Sequence, residues 1–271
     1  MLIDDVCDRI ERCSTAFHLR RLELLRDVPG NRCDIHVRRF GTHVGATAAA
    51  GLPDIDWMQH VMGLAPGDEA LVPEIAAWYS NLGVRPRFEV APADGFVPLA
   101  AALSDVGARP TGFIDALWAR LATPAGDTDD EVDVRIVESS SDDSAVFARV
   151  LLGGHGVPDD TPTEHWTGVA RWSEEPGWTC YLASVDGEPI GAAALAVDDG
   201  VGYLASASTL PAGRRRGCQR ALIHRRLSDA AAAGCDLAVS LATPGTTSHR
   251  NLERAGLGVA HTRVFWTVVD A

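Results

Sequence analysis

The stretch Ser206-Ala-Ser-Thr-Leu-Pro-Ala-Gly-Arg-Arg-Arg-Gly-Cys-Gln-Arg-Ala-Leu-Ile223 carries the most information about the fold of this chain. Its pattern predicts the end of a strand, a turn at Pro211, a loop rich in arginine and glycine, and the start of an amphipathic helix. Six of the 24 basic residues lie between Arg214 and Arg226, although the formal net charge is -13. Backbone N–H groups and the positive end of the helix dipole converge at such a helix start. The stretch therefore predicts an anion site, and a phosphate-bearing ligand is the first candidate.

Length and composition indicate a globular protein with room for two domains. The chain has 271 residues and an apolar fraction of 46%, and no window approaches the 18 apolar residues of a membrane span. The N-terminus is acidic where a secretory signal needs a basic start. Six cysteines without a C-x-x-C pair or metal-ligand spacing favour a reduced, cytoplasmic location. We expect no metal and no membrane among its partners. We also expect no nucleic acid, since the acidic balance disfavours bulk nucleic-acid binding. The expected oligomeric state is a monomer or homodimer.

All 24 basic residues are arginine, and the chain contains no lysine. Alanine, glycine and arginine are abundant throughout, which is typical of codon bias in a GC-rich genome. The consequence for chemistry is that a Schiff base on a lysine of this chain is excluded.

The pattern of helices and strands predicts two similar halves. Segment 122–131 is small, polar and acidic, and it predicts a linker. The second half has the predicted order β-α-α-β-β-β-α-β-α-β, with one continuous strand over 201–209. The first half begins with a helix and continues as a hairpin, strand, helix, strand, helix and strand. We therefore predict an α/β protein with a diverged repeat, divided into residues 1–125, a linker at 126–131, and residues 132–271.

The second half resembles the GCN5-related N-acetyltransferase (GNAT) family from Val132 to the C-terminus. The pyrophosphate loop of that family has the form Gln/Arg-x-x-Gly-x-Gly/Ala. Arg214, Gly217 and Gln219 occupy its three fixed positions, although Gln219 replaces a small residue. A later match is the segment 248–257, which is similar to the family's Asn…Gly-Phe helix. The resemblance implies a tandem GNAT-like architecture, in which each half is a mixed, mostly antiparallel sheet flanked by helices and the second sheet splays at its central strands.

The resemblance also implies acetyl-CoA or coenzyme A as cosubstrate. Backbone amides of the loop would meet the pyrophosphate, Gly217 would permit its close approach, and arginines would neutralise its charge. The pantetheine arm would lie in the wedge between the strands that end at Thr209 and Thr243, and a backbone N–H near Thr209 or Leu210 would polarise the acyl carbonyl. The implied cofactor-binding residues are Thr209, Leu210, Arg214, Arg215, Arg216, Gly217, Cys218, Gln219, Arg220 and Asn251.

The chain departs from the family at the residue that acts as general acid toward the departing thiolate. Leu252 stands where the family often has a tyrosine, so protonation of the departing thiolate is left to water, Tyr203 or Tyr181. Direct attack of the amine on the thioester is implied, without a covalent acyl-enzyme. Cys218 is not expected to act as a nucleophile, because its position usually holds an aliphatic residue that faces the core.

The strand 201–209 contains no carboxylate that could act as a base. Glu164 and His165, at the start of the helix expected to line the acceptor pocket, are the catalytic candidates together with Tyr203; His155 in the preceding loop is another. Structural roles stay open for each, such as a favourable place near a helix N-terminus for Glu164. Three tryptophans form either a wall of the acceptor pocket or part of the core: Trp166, Trp172 and Trp178.

Three functions fit these patterns to different degrees. The leading hypothesis is an acyl-CoA-dependent N-acyltransferase that moves an acetyl group to the primary amine of a small molecule. The alternative is a non-catalytic acyl-CoA-binding sensor or regulatory protein. An aminoacyl transferase that uses charged tRNA is disfavoured by the net charge and the intact loop. The first half carries the acidic segment Ala65-Pro-Gly-Asp-Glu-Ala70 where the arginine loop would stand, so we expect no cofactor site there.

Overall fold

The structure is a computed structural model that describes residues 3–91, 93–121, 132–138, 142–158 and 161–269. The chain divides into two compact units: unit 1 comprises Met1–Ala116 and Ala260–Ala271, and unit 2 comprises Leu117–Val259. The predicted linker at 126–131 lies outside the described residues. Within the described ranges, no helix combines the length and apolar character needed to cross a membrane.

The helices and strands follow the predicted succession closely. In chain order the first are α1 (Ile3–Arg26), β1 (Ile35–Phe40), β2 (Val44–Ala49), β3 (His60–Met62), α2 (Leu71–Asn81), β4 (Arg87–Val90), α3 (Phe96–Asp105) and β5 (Ala108–Arg120). They are followed by β6 (Asp133–Ile136), α4 (Asp143–Gly154), α5 (Thr163–Ala170), β7 (Trp178–Val185), β8 (Glu188–Asp198), β9 (Val201–Tyr203), β10 (Ala207–Thr209), α6 (Cys218–Ala232), β11 (Leu237–Ala242), α7 (Thr247–Arg254) and β12 (Gly258–Val268).

Unit 1 is built on a mixed sheet. Strands β1, β2 and β3 pair antiparallel, and α2 then carries the chain across to β4, which runs parallel to β3. On the far side of β4 lies β12, antiparallel to it, with β5 beyond. Helices α2 and α3 cover one face through an apolar cluster that includes Ile75, Tyr79, Phe88, Leu99 and Leu103.

Unit 2 repeats this layout. Strands β6, β7, β8 and β9 pair antiparallel, and α6 carries the chain across to β11, which runs parallel to β9. The end of β5, at 117–120, lies beside β11, and the N–H of Leu121 donates to the carbonyl of Asp236 at 2.9 Å. The α/β fold and the tandem repeat are therefore confirmed.

The compact units differ from the predicted halves at the final strand of each repeat. By order along the chain, β12 follows the elements of unit 2, but its residues from Ala260 onward belong to unit 1. In the same way β5 follows the elements of unit 1, and its residues 117–120 belong to unit 2. The bounds of the compact units therefore fall within β5 and β12, whereas the predicted division was placed at 126–131.

Unit 1 contains a buried pair of histidines, one on α1 and one on β3. The rings of His18 and His60 stack with their centroids 4.8 Å apart. His18 accepts at Nδ1 from Arg21 at 2.8 Å, so its Nε2–H donates to Thr47 Oγ1 at 3.0 Å. Burial, followed by the charge of Arg21 and the neighbouring His60, holds the pKa of His18 well below 6.5. The neutral form is therefore the stable form of His18 in the folded protein.

His60 is subject to the same forces from other elements. Burial is the largest cause that lowers its pKa well below 6.5, followed by the charges of Arg87, Arg21 and Arg263. The carboxylate of Glu89 lies 3.7 Å from His60 Nδ1 and has the opposite sign, but these causes outweigh it. Both histidines are therefore neutral where the unfolded chain would take up protons.

We expect the thermal stability of the protein to fall as the pH is lowered from about 6.5 to about 5. In that window the unfolded chain binds protons at His18 and His60 while the folded protein does not, so unfolding is favoured as pH falls. Melting temperatures across this range in parent protein and in the double variant His18→Asn/His60→Gln measure the effect, which the double variant should lack. The matched control is His224→Gln at an exposed position of α6; an equally steep slope in the double variant would contradict the assignment.

Candidate functional site

The arginine-rich loop lies directly between β10 and α6, as predicted. After Leu210 the chain makes a short 3-10 turn, Pro211–Gly213, that packs onto β8. A Cβ atom on Gly213 would come within 2.5 Å of the Ile190 side chain, so only glycine permits this approach. The loop that follows is thereby held next to the end of β10.

The N-terminus of α6 has no capping side chain. Gly217 occupies the N-cap position with φ of 85°, a left-handed conformation that favours glycine. The first helical hydrogen bond runs from the N–H of Ala221 to the carbonyl of Gly217, so the N–H groups of the first turn have no partner within the helix. Arg214, Arg215 and Arg216 are exposed in front of this turn. The arrangement can bind an anion through backbone N–H groups and guanidinium groups together.

One of these arginines already contacts a carboxylate. Arg216 donates from Nη2 to Asp186, in the turn between β7 and β8, at 2.5 Å. The two side chains are 45% and 79% exposed, and ion pairs at such exposure contribute little to stability. A phosphate group can therefore compete with Asp186 for Arg216.

The residues that follow on α6 tie the loop to the sheet. Gln219, which departs from the small residue of the family loop, donates from Nε2 to Thr209 Oγ1 at 3.1 Å. Cys218 is buried against β8, where a Cβ on Gly191 would lie 3.2 Å from that of Cys218. Burial raises the pKa of the Cys218 thiol, which disfavours the thiolate that a nucleophile requires. Its side chain acts in packing.

The sheet of unit 2 opens beside this loop. Strand β9 pairs with β11 only over three residues, ending at the pair Tyr203 and Val239. Beyond this point β10 pairs with β8, and β11 continues without β10 as a partner in the described structure. Ser240 donates its hydroxyl to the carbonyl of Leu204 at 3.0 Å where the two strands part. A wedge with one strand edge on each side therefore begins here, as the resemblance implied.

The predicted continuous strand over 201–209 is wrong, because the chain breaks between β9 and β10. Ser206 has φ of 24°, and the N–H of Ala205 donates to the carbonyl of Tyr203 at 2.8 Å. The N–H of Ala194 on β8 reaches both the Ala205 and Ser206 carbonyls, at 3.3 and 3.1 Å. Two residues thus oppose one, which is a bulge that bends the strand.

The register of β10 separates the two amides proposed to polarise an acyl carbonyl. The N–H of Leu210 donates to the carbonyl of Ile190 at 2.8 Å, so it is already used in the sheet. In an antiparallel ladder neighbouring N–H groups alternate in direction, so the N–H of Thr209 points away from β8. A Cβ on Gly154 would come within 3.0 Å of the Thr209 nitrogen. Of the two amides, only that of Thr209 is directed away from β8, and Gly154 leaves room beside it.

The structure places the candidate acids on opposite faces of the sheet. Tyr181 donates its hydroxyl to Asp229 of α6 at 2.8 Å, and burial together with that contact raises its pKa. Tyr203 stands in register with Ala196, and Ala196 with Trp178. Its neighbour Gly202 faces α6, so Tyr203 faces the other side, where α4 lies over β10. Tyr181 therefore has a structural role, and Tyr203 remains the candidate beside the wedge.

Leu252 and Asn251 lie on α7, which packs against α6 and β11. Leu252 is 2% exposed and belongs to the apolar core of unit 2, so no acid replaces the family's tyrosine at that place. Asn251 is partly exposed and accepts from Arg254 at its Oδ1 atom at 3.0 Å.

The base candidates lie around α5. His165 is 2% exposed, so the structure encloses it rather than presenting it to solvent, whereas Glu164 is partly exposed and His155 is exposed after the end of α4. The tryptophans belong mainly to the packing of this region: Trp172 is buried, and its ring meets that of Trp178 edge-on at 5.7 Å. In the described ranges no group of three or more His, Cys, Asp or Glu side chains is placed to hold a metal ion.

The corresponding loop of unit 1 is closed by its own carboxylates. Asp68 accepts from the N–H of Ala65 at 2.9 Å, and Glu69 accepts from the N–H of Gly67 at 2.9 Å. His43 also contacts Asp68 at 2.8 Å. Two backbone N–H groups of this loop are therefore paired with carboxylates of the same loop.

Unit 2 thus combines a splayed mixed sheet with an uncapped helix start flanked by exposed arginines. Residues 148–257 match the model of the Acetyltransferase (GNAT) family, so this segment carries a domain of that family. No protein among the curated sequences matches the chain.

Solved structures resemble the chain over nearly its whole length. A GCN5-related N-acetyltransferase from Kribbella flavida is 19% identical with a TM-score of 0.60, covering 95% of this chain and 96% of that one. Another from Sphaerobacter thermophilus is 18% identical with a TM-score of 0.61, covering 90% and 84%. A tandem GNAT protein from the clavulanic acid biosynthesis pathway is 14% identical with a TM-score of 0.60, covering 94% and 96%. The likeness establishes the tandem GNAT fold.

Proposed function

We propose that the protein is an acyl-CoA-dependent N-acyltransferase that transfers an acetyl group to a primary amine of a small molecule. The observation that carries the proposal is the uncapped start of α6 behind three exposed arginines, next to the open edge of β10. Coenzyme A has the matching chemistry, because its pyrophosphate needs several donors close together and its long arm ends in the reactive thioester. In unit 2 the start of α6 offers donors for the pyrophosphate, and the adjoining edge of β10 offers a place for the arm.

In this proposal the residues of unit 2 bind and orient, and the cosubstrate supplies the activated acyl group. The start of α6 and residues 214–216 hold the phosphates. The N–H of Thr209 donates to the acyl oxygen as charge develops on it. The neutral amine forms the new C–N bond, the C–S bond breaks, and the amine proton passes to solvent while the departing thiolate takes a proton from water or Tyr203.

The alternative is a sensor that binds acyl-CoA without turnover, and the position of Leu252 in the core favours it, because that position supplies no acid. Incubation with acetyl-CoA and a panel of small primary amines separates the two proposals. An enzyme releases free thiol in an amine-dependent manner, and a sensor binds acetyl-CoA in calorimetry without releasing thiol. Absence of binding would overturn both.

We expect Cys218→Ala to retain most of the turnover, because direct attack requires no thiolate and the side chain is buried in packing.

Glu164→Gln and His165→Ala should each lower turnover by about tenfold to a hundredfold if either acts as general base. Initial rates of thiol release across pH measure this, and the parent rate should rise with pH as the acceptor amine loses its proton. Trapping of an acylated Cys218, together with a folded but inactive Cys218→Ala, would instead establish a covalent mechanism.

A further inference from the structure

The apolar face of α6 contains one fully buried charge, Arg226. Its neighbours one turn away on the same face are Leu222 and Ala230, both buried in the core. Arg226 is 2% exposed, and no carboxylate in the described part of the chain forms an ion pair with it. Burial of a charge without an opposite charge is costly, so an apolar residue here would suit the core better.

The hydrogen bonds of Arg226 all go to backbone carbonyls. Nε donates to Leu222 at 3.0 Å within the helix. Nη1 donates to Ala194 on β8 at 3.2 Å and to Ala205 at 3.1 Å. Ala205 lies in the bulge between β9 and β10, and Ala194 lies opposite it on β8, where the regular ladder is interrupted. The guanidinium therefore supplies the donors that the bulge removes from the sheet.

This contact links the two parts of the proposed site. One helix, α6, presents its N-terminus to the phosphate end of the ligand and Arg226 to the break in the strand. Arg226 lies nine positions after Gly217, which corresponds to about 13 Å along the helix axis. The bulge bends the chain away from β11 and so sets the direction of β10, including the N–H of Thr209.

We propose that Arg226 is a positioning residue that holds the bulge and so fixes the Thr209 N–H relative to the anion site at the start of α6. The inference rests on the proposed function for its catalytic consequence, and on the hydrogen bonds alone for its structural part. Burial is the main cause that lowers the pKa of Arg226 to about 10, so the side chain is charged at neutral pH and can make all of these bonds.

The test compares Arg226→Met, which keeps the length and apolar stem, with the matched variant Arg225→Met. Arg225 lies on the same helix but contacts Asp229 and the carbonyl of Val134, away from the bulge. Hydrogen exchange of the full-length protein should show about tenfold faster exchange of the Ala194 and Leu210 amides in Arg226→Met, and no change there in Arg225→Met. Unchanged exchange in a folded Arg226→Met overturns the proposal whether or not the protein is an enzyme.

The expected effect of Arg226 on catalysis is measured separately, by kcat for thiol release and by the dissociation constant for coenzyme A. In Arg226→Met we expect kcat for thiol release to fall by about a hundredfold, at the lower end of the range for losing one aligned oxyanion donor. The dissociation constant for coenzyme A should change by less than about threefold, since the start of α6 is intact. Arg226→Lys should recover part of kcat. A lower melting temperature with unchanged kcat would instead assign Arg226 a purely structural role.

Two further outcomes are distinguishable. Parent protein that neither binds acetyl-CoA nor releases thiol defeats the proposed function, while the exchange data still decide what Arg226 holds. If Arg226→Met does not fold, Arg226→Gln provides a shorter donor for the same comparison, and exchange of Ala194 and Leu210 equal to that of the parent would overturn the proposal.

Discussion

Acetyl-CoA should lose about a hundredfold or more in affinity when Gly217 is replaced with valine and Arg216 with glutamate. Valine cannot easily adopt φ of 85° at the N-cap of α6, so the first-turn N–H groups are misaligned. Glutamate places a negative charge where Arg216 would meet a phosphate. Calorimetric titration of acetyl-CoA into the folded double variant measures the loss.

Matched controls separate the site from general damage. Gly234 has φ of 84° at the other end of α6, with nothing within 4 Å of an added Cβ, so Gly234→Val imposes similar backbone strain away from the loop. Arg109→Glu makes the same charge change at an exposed position of unit 1. Both controls should bind acetyl-CoA as the parent does. Unchanged affinity in the Gly217/Arg216 double variant would exclude the loop as the phosphate site.

The second large expected effect is on the free energy of unfolding, through β12, the last strand of the chain, whose residues from Ala260 onward belong to unit 1. Arg263 on β12 is 0% exposed and donates to Glu89 at 2.6 Å, to Glu11 at 2.8 Å and to Ser14 at 2.7 Å. His261 also contacts Glu11, at 2.7 Å. Burial by itself would raise the pKa of Glu11, but the charges of Arg263 and His261 outweigh it and lower the pKa. The charge of Arg263 thus helps to keep the Glu11 carboxylate ionised.

Arg263→Ala should lower the free energy of unfolding by about 3–5 kcal/mol, because it leaves the buried Glu89 carboxylate without its arginine partner. Urea denaturation followed by tryptophan fluorescence measures the change. Arg263→Met combined with Glu89→Gln should recover part of the loss, since one unpaired charge is removed as well. Arg109→Ala, at an exposed arginine, is the matched control. A change within about 0.5 kcal/mol for Arg263→Ala, as at an ordinary surface position, would show that the network does not hold β12.

The arginine-rich loop between a strand and a helix could be predicted from the sequence because its signals are local. The turn at Pro211, the three arginines and Gly217 lie within seven consecutive residues, and a helix N-terminus binds anions through its own backbone whatever surrounds it. The acidic loop of unit 1 was found in the same way, and Asp68 and Glu69 indeed accept from its backbone. Gly154 and Arg226 were missed, although a glycine pair ending a helix and a charge on an apolar face are visible signals.

The sequence by itself determined the α/β succession, the tandem repeat and the position of the arginine-rich loop, because hydrophobic period, turn residues and charge act over a few residues. Only the tertiary structure decided which sheet β12 joins, where the strand breaks at Ser206, and that the N–H of Leu210 donates to β8 while the N–H of Thr209 points away from it. Strand partners and register come from contacts between residues far apart in the chain. The partners of Arg263 in unit 1, Glu11 and Glu89, lie about 170 to 250 residues away from it along the chain, a distance over which no local pattern carries information.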